Sequence, residues 1–130
     1  MRGKVVFQDW IERKDLIESP DKLFVFGDNM ARVGLGGQAA VMRGEPNAVG
    51  VPTKWSPGMS NKDFFSDADL PLILPVIEKD LEKIRKHLES GRDVVIPADG
   101  LGTGLSQLPK RAPKIFQLLE KSIRDLCQES

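Results

Sequence analysis

LFVFGDNMARVGLGGQAA, Leu23 to Ala40, reads as a buried strand, a glycine-rich loop and the start of a helix. Leu23 to Phe26 is a continuous apolar run, the mark of a parallel strand covered on both faces. A second segment repeats the plan. DVVIPADGLGTGLSQLP, Asp93 to Pro109, passes from a strand over Asp93 to Ile96 into a loop and then into helical sequence. In an open α/β sheet, loops at the carboxyl ends of strands line the ligand crevice. Glycine lets backbone N–H groups come close to a ligand, and a helix N-terminus favours negative charge. Two such loops on one small domain imply a phosphate-bearing ligand between them.

Outward from these loops, strands and helices alternate. Lys4 to Gln8 reads as a strand, and Asp9 as the cap of a brief helix through Trp10, Ile11 and Leu16 that ends near Ser19-Pro20. Gln38 to Arg43 reads as a short helix stopped by Gly44 and Pro46, and Ala48 to Val51 as another strand. Pro52 to Asp63, rich in Pro, Gly, Ser and Asn, predicts a long exposed loop. Ser66 or Asp67 then caps the longest helix. Its Leu70, Ile73, Leu74, Ile77, Leu81, Ile84 and Leu88 form one apolar face, and Gly91 closes it. Pro71 suits the first turn, while Pro75 implies a later start or a kink. The last helix begins near Lys110 or Arg111, with Ile115, Leu119, Ile123 and Leu126 inward. The pattern predicts an α/β fold: a single three-layer domain over residues 1–130, its mainly parallel (mixed) sheet covered by helices on both faces.

Composition narrows the chemistry. With 40% hydrophobic and 29% charged residues, the 130-residue chain has the make-up of a soluble globular domain with one core. Its formal net charge of zero argues against nucleic-acid binding through a broad basic field. No apolar run is long enough to span a bilayer and no signal-peptide pattern opens the chain, so no membrane partner is expected. The single cysteine, Cys127, forms no internal disulfide and fits a reducing cytoplasm. One Cys and one His exclude a Cys/His metal site, and no paired-carboxylate spacing asks for a hard cation, so no metal or other cofactor is expected.

The candidate site residues fall at strand ends. Asp28 and Asn29 stand where the first loop begins; Asn can donate to a ribose hydroxyl or a carbonyl, and Asp can accept from a hydroxyl or an adenine amine. Both could equally shape a local turn. Gly34, Gly36 and Ala39 fit a G-x-G-x-x-A dinucleotide fingerprint, but a Rossmann turn follows its strand directly and here residues 27–33 intervene. Gly36 and Gly37, with Gln38 after them, either approach an anion or make a turn that lets the helix pack. Gly100, Gly102 and Gly104 alternate, which allows successive N–H groups to curve around an anion. Asp99 points into the crevice or onto the backbone. Thr53-Lys54-Trp55 follows the strand at Ala48 to Val51; Lys54 neutralises a phosphate, acts as a nucleophile, or is merely exposed. Trp55, Phe64 and Phe65 stack on a base or anchor the loop. His87 reads as a solvated surface residue.

With these motifs in order, the chain resembles macrodomains, α/β modules that bind ADP-ribose. The resemblance covers about Leu23 to Leu126. It rests on Asn29, Gly34, Gly36, Gly37 and Gln38-Ala39-Ala40 in the first loop, and on Pro97-Ala98-Asp99-Gly100-Leu101-Gly102-Thr103-Gly104 with Pro109 in the second. It is closest to the subclass that removes ADP-ribose from acidic side chains or DNA bases and to small macro-like proteins of phages and bacteria. The resemblance implies that Asp28 and Asn29 meet adenine and the distal ribose, that Gly36 and Gly37 lie near ribose and diphosphate, and that Gly100, Leu101, Gly102, Thr103 and Gly104 wrap the diphosphate. In that subclass a lysine after the third strand attacks the anomeric carbon, and Lys54 of VPTK matches it. The subclass also carries an aspartate in its second loop; the matching position here is Ser106, and Asp99 is the candidate substitute. The implied partner is ADP-ribose or a similar nucleotide, free or on a modified protein or nucleic acid. Three functions follow: an ADP-ribosyl glycohydrolase, a non-catalytic binder or sequestering module for a nucleotide signal, and an interaction protein using the long helix.

Overall fold

A computed structural model describes residues 2–129. Four strands form one sheet in the order β1-β4-β2-β3, with β1 at Val5–Gln8, β2 at Leu23–Asn29, β3 at Ala48–Lys54 and β4 at Val94–Pro97. Every pair of neighbours is parallel. The sheet is therefore not mixed. The one antiparallel feature among the described residues is an isolated bridge between Lys54 and Phe64.

Side-chain alternation along the strands divides the interior into two cores. Phe24, Phe26 and Val95 pack with Leu16 of α1 (Arg13–Glu18) and with Ala39 and Met42 of α2 (Ala39–Met42). Val25, Val51, Val94 and Ile96 face the larger core. It is covered by α3 (Leu70–Glu89) and α5 (Pro113–Glu129), with the short α4 (Leu108–Arg111) between β4 and α5. The chain is thus a single small α/β domain with helices on both faces of the sheet. Ile73, Ile77, Leu81, Ile84 and Leu88 of α3 are buried, as their spacing predicts. Each contributes about 1.5–3 kcal/mol by leaving water. Ile115, Leu119, Ile123 and Leu126 do the same from α5.

Four local expectations need correction. Asp9 does not cap α1. Glu12 does, with the Asp15 carboxylate accepting from the Glu12 N–H at 2.8 Å, and Trp10 is left 78% exposed. Residues 52–63 are not one exposed loop, because β3 continues to Lys54 and buries Thr53 and Lys54, and Asp63 is buried too. Ser66 caps a separate 3-10 turn at Asp67–Asp69, and α3 begins at Leu70 with Pro75 inside it rather than later. The final helix starts at Pro113, since α4 and Ala112 take up the residues where it was placed. Gly44 and Gly91 end α2 and α3 in left-handed conformations.

Candidate functional site

β2 and β4 are neighbours, yet their following loops leave in opposite directions. The β2 loop leads to α2 on the Phe24–Phe26 face, and the β4 loop leads to α4 and α5 on the Val25–Ile96 face. This divergence opens a crevice at the carboxyl ends of the strands. It holds a cleft of about 310 Å³.

One wall is the first loop. Gly34, Gly36, Gly37 and Gln38 line it, with Asn29 at its base. The other wall is the second loop, where Asp99, Gly100, Gly102, Thr103 and Gly104 line the cleft together with Ser106. Thr53 and Lys54 reach it from the end of β3. Leu101 differs from its neighbours: its side chain is buried in the larger core and is no part of the wall. The backbone N–H groups of Leu101 to Ser106 donate to no protein acceptor among the described residues, and neither do those of Val33 to Gln38. Both loops therefore offer runs of free donors, which suits an anion.

Close approach shapes both walls. Gly102 holds φ +86° and its carbonyl accepts the Leu108 N–H at 2.9 Å, turning the second loop into α4. A Cβ there would come within 2.8 Å of Leu108 Cγ. Across the cleft, Leu105 Cδ1 would lie 2.9 Å from a Cβ on Gly36, so the two loops touch at that point.

The first loop is held by charges. Asp28 is buried, and Arg43 engages both its carboxylate oxygens, at 2.5 and 3.3 Å. The Asn29 N–H donates to Asp28 Oδ1 at 2.8 Å, and Arg32 lies 3.6 Å from Oδ2. Arg43 also donates to the carbonyls of Val33 and Gly34, at 3.2 and 2.7 Å. Arg32 donates to the Gly50 carbonyl at 2.6 Å and to the buried Asp80 of α3 at 2.6 Å. Asp28 is thus the anchor of this loop rather than a free acceptor for a ligand. Arg43, Arg32 and Asp80 were missed in the sequence. The signal was present: an aspartate ending an apolar strand must find a cation, and Arg32 and Arg43 follow it closely.

Two amide oxygens face the cleft differently. Asn29 Nδ2 donates to the Val33 carbonyl at 2.7 Å, which fixes the side chain and leaves Oδ1 buried without a partner. Gln38 Oε1 is buried and unpartnered as well. Leaving such a group unpaired costs about 1–3 kcal/mol.

Lys54 is 6% exposed. Its Nζ donates to the Gly58 carbonyl at 2.6 Å, lies 3.6 Å from Met59 Sδ and sits 4.5 Å above the Phe64 ring. No carboxylate forms an ion pair with it among the described residues. Desolvation by burial pulls its pKa below the ordinary lysine value, the nearby Asp63 raises it in part, and Arg111 lowers it further. Asp63 organises the segment that carries Gly58. It accepts from the Ser56 hydroxyl and from the Ser60 N–H, and the Ser56 bond leads the causes that hold its carboxyl below the usual range.

The aromatic residues anchor this segment. Phe64 and Phe65 are buried, Arg111 stacks 3.7 Å over Phe64, and Trp55 meets Phe65 edge-on at 5.2 Å while its Nε1–H donates to Asp69. Asp99 is exposed at the cleft, and its carbonyl accepts from Thr103 Oγ1 at 3.1 Å.

Fold and site together define a parallel α/β domain with a cleft at a topological switch point. Residues 6–122 match the model of a family of unknown function (DUF7831), and the chain belongs to that family. No curated protein and no solved structure matches the chain.

Proposed function

We propose that this domain is macrodomain-like and binds ADP-ribose or a closely related nucleotide in the cleft between its two glycine-rich loops. The observation that carries the reading is the pair of free N–H runs, Val33 to Gln38 and Leu101 to Ser106, on the two loops that line the cleft at the β2–β4 switch point. A diphosphate satisfies such donors without needing a cation. Asn29 and Gln38 line the same cleft, each with a buried side-chain oxygen that has no partner among the described residues, and a small side-chain shift would present either oxygen to a ribose hydroxyl or an amine. A nucleotide fits the sequence resemblance as well as the chemistry of the walls.

A second reading, cleavage of an ADP-ribosyl glycosidic bond, is favoured by one observation. Lys54 lines the cleft with its pKa lowered by desolvation, which raises the fraction of neutral amine available for attack. Two observations favour plain binding. Lys54 is almost fully buried, and the position of the assisting aspartate is Ser106.

Thermal unfolding with ADP-ribose, ADP, NAD and ribose phosphate tests the proposal. A ligand at about 100 times its Kd stabilises the fold by about 2.7 kcal/mol. Absence of any shift with all four would reject it. Chromatography for released ADP-ribose, from a modified protein or nucleic acid, separates hydrolase from binder.

A further inference from the structure

A second pocket, of about 350 Å³, lies at the opposite pole of the sheet. Leu23 and Ala48 open β2 and β3 and form its floor with Val49. A seven-residue strand separates this floor from the nucleotide cleft by about 20 Å. The rim is Lys83, Lys86 and His87 of α3, with Arg92 from the turn before β4. No carboxylate lines it.

In a chain of zero net charge this concentration of basic groups has to be explained. Cations near the end of a helix complement its dipole, which accounts for Lys86 and His87. It does not account for Arg92, which follows the helix, or for Lys83 a turn earlier. Four of the neighbouring carboxylates, Asp80, Glu82, Glu89 and Asp93, are engaged elsewhere, while Asp21 meets the rim through its backbone carbonyl. Asp80 binds Arg32 at 2.6 Å and Glu82 binds Arg85 at 2.8 Å. Glu89 meets Arg2 at 3.6 Å, and Asp93 accepts the Lys4 N–H. Lys83 shares Asp80 at 3.6 Å, while Lys86 has no ion pair among the described residues.

Two of the rim groups are fixed in place. His87 Nε2 lies 2.9 Å from the Asp21 carbonyl, an acceptor only, so Nε2 carries the proton and the ring is oriented by that bond. Arg92 Nε donates to Ser90 Oγ at 2.9 Å, which leaves its terminal nitrogens for another acceptor. An anion is the missing partner of such a rim. The apolar floor beneath it favours an anion with a carbon skeleton over a bare inorganic ion.

We propose that this pocket is an anion site for an organic phosphate monoester, its phosphate held by Lys86 and Arg92 and its carbon skeleton resting on Leu23, Ala48 and Val49. The site is independent of the nucleotide cleft.

Backbone amide NMR with phenyl phosphate and with inorganic phosphate, at constant ionic strength set by sodium chloride, tests it. Saturable shifts are expected at Leu23, Ala48 and residues 83–92, with phenyl phosphate binding at least fivefold tighter. Lys86→Ala with Arg92→Ala should weaken phenyl phosphate at least tenfold while leaving the residue 100–106 amides unchanged and lowering the melting temperature by no more than about 4 °C, the loss of a helix-dipole contact. Both side chains are exposed, and Lys86→Gln alone, expected to weaken binding severalfold, is the second variant. Shifts reproduced by chloride, shifts that persist in both variants, or no saturable shift at all would overturn the site. Equal affinity for the two phosphates would overturn the role of the floor.

Discussion

Gly100 and Gly102 make a controlled pair. Both hold φ +86°, so an L side chain at either position is strained alike. Alanine in left-handed backbone costs about 1–2 kcal/mol. Their surroundings differ. A Cβ on Gly100 meets nothing within 4 Å, whereas a Cβ on Gly102 would be driven into Leu108, 2.8 Å from its Cγ and 3.0 Å from its Cβ. Leu108 is fully buried and has no room to retreat. Overpacking of that kind adds about 1–3 kcal/mol. Gly100→Ala should therefore lose about 1–2 kcal/mol and Gly102→Ala about 2–5 kcal/mol. At about 2.1 cal/mol/K of unfolding entropy per residue, a loss of 1 kcal/mol lowers Tm by about 4 °C in a chain of this length. Urea unfolding followed by tryptophan fluorescence and far-UV circular dichroism reads the difference. The steric part has its own check, because Leu108→Ala removes the atoms that a new Cβ would strike. The Gly102→Ala and Leu108→Ala double variant should thus be more stable than the sum of the single losses implies, by at least 1 kcal/mol, above the scatter of additive sites at about 0.3–0.5 kcal/mol. Equal losses for the two glycines, or strict additivity with Leu108→Ala, would refute the packing of the second loop against α4.

Arg43→Ala leaves the buried Asp28 with Arg32 at 3.6 Å as its remaining cation, so a loss of about 3 kcal/mol is expected, with nucleotide affinity falling as the first loop loosens. Arg43→Lys should recover little, because one ammonium cannot serve both carboxylate oxygens and two carbonyls; full recovery in a thermal melt would sink that account. Lys54→Ala should spare ADP-ribose binding, and any release of ADP-ribose by the wild type should disappear with it; unchanged turnover rules out the nucleophile. The Asp63 carboxyl is held below its ordinary pKa, first by the Ser56 hydroxyl, so the folded state favours the carboxylate. That contribution is complete above the pKa of the unfolded chain and is lost as pH falls through the depressed folded value. Asp63→Asn should therefore flatten the acid limb of the stability profile, and an unchanged limb would show that other carboxylates set it.

The readable parts of the fold are those where one local pattern has one outcome. The apolar run at Leu23 to Phe26 had to be a covered strand, and the three-four spacing of Ile73, Ile77, Leu81, Ile84 and Leu88 had to be a helix face. Where local signals compete, tertiary contacts decide. Pro52, Pro57 and Gly58 signal a loop, yet pairing with β2 carries β3 through Pro52 to Lys54, with a bulge opposite Asp28 and Asn29. Proline is tolerated there because β3 is an edge strand, where its nitrogen is not needed by a further neighbour. Leu101 misleads in a different way. It sits between two glycines of the loop that resembles a diphosphate cradle, but a leucine in so tight a loop is turned inward by its own burial while the glycine backbone stays at the surface.

The same reasoning bears on what the cleft can do. Glycine spacing reports where backbone donors can converge, and the two free N–H runs lie where those glycines are. Spacing does not report which side chains are already engaged. Asp28 has the chemistry of a ligand acceptor but is held by Arg43 and Arg32, and Lys54 has the chemistry of a nucleophile but donates from its Nζ to the Gly58 carbonyl. For Lys54 to attack an anomeric carbon its amine must be neutral and correctly placed; the Gly58 carbonyl accepts one of its protons and so sets its position, and Gly58 is held by a segment that Asp63 ties through Ser56 and Ser60. Chemistry at Lys54 is therefore coupled directly to the order of residues 56–63, whereas anion binding by the two loops meets that segment only at Pro57, which lines the cleft beside Gly34. Asp63→Asn consequently separates the functions: it should alter any turnover while leaving ADP-ribose affinity within about threefold, and a parallel loss of both would show that binding depends on the order of residues 56–63 as much as turnover does.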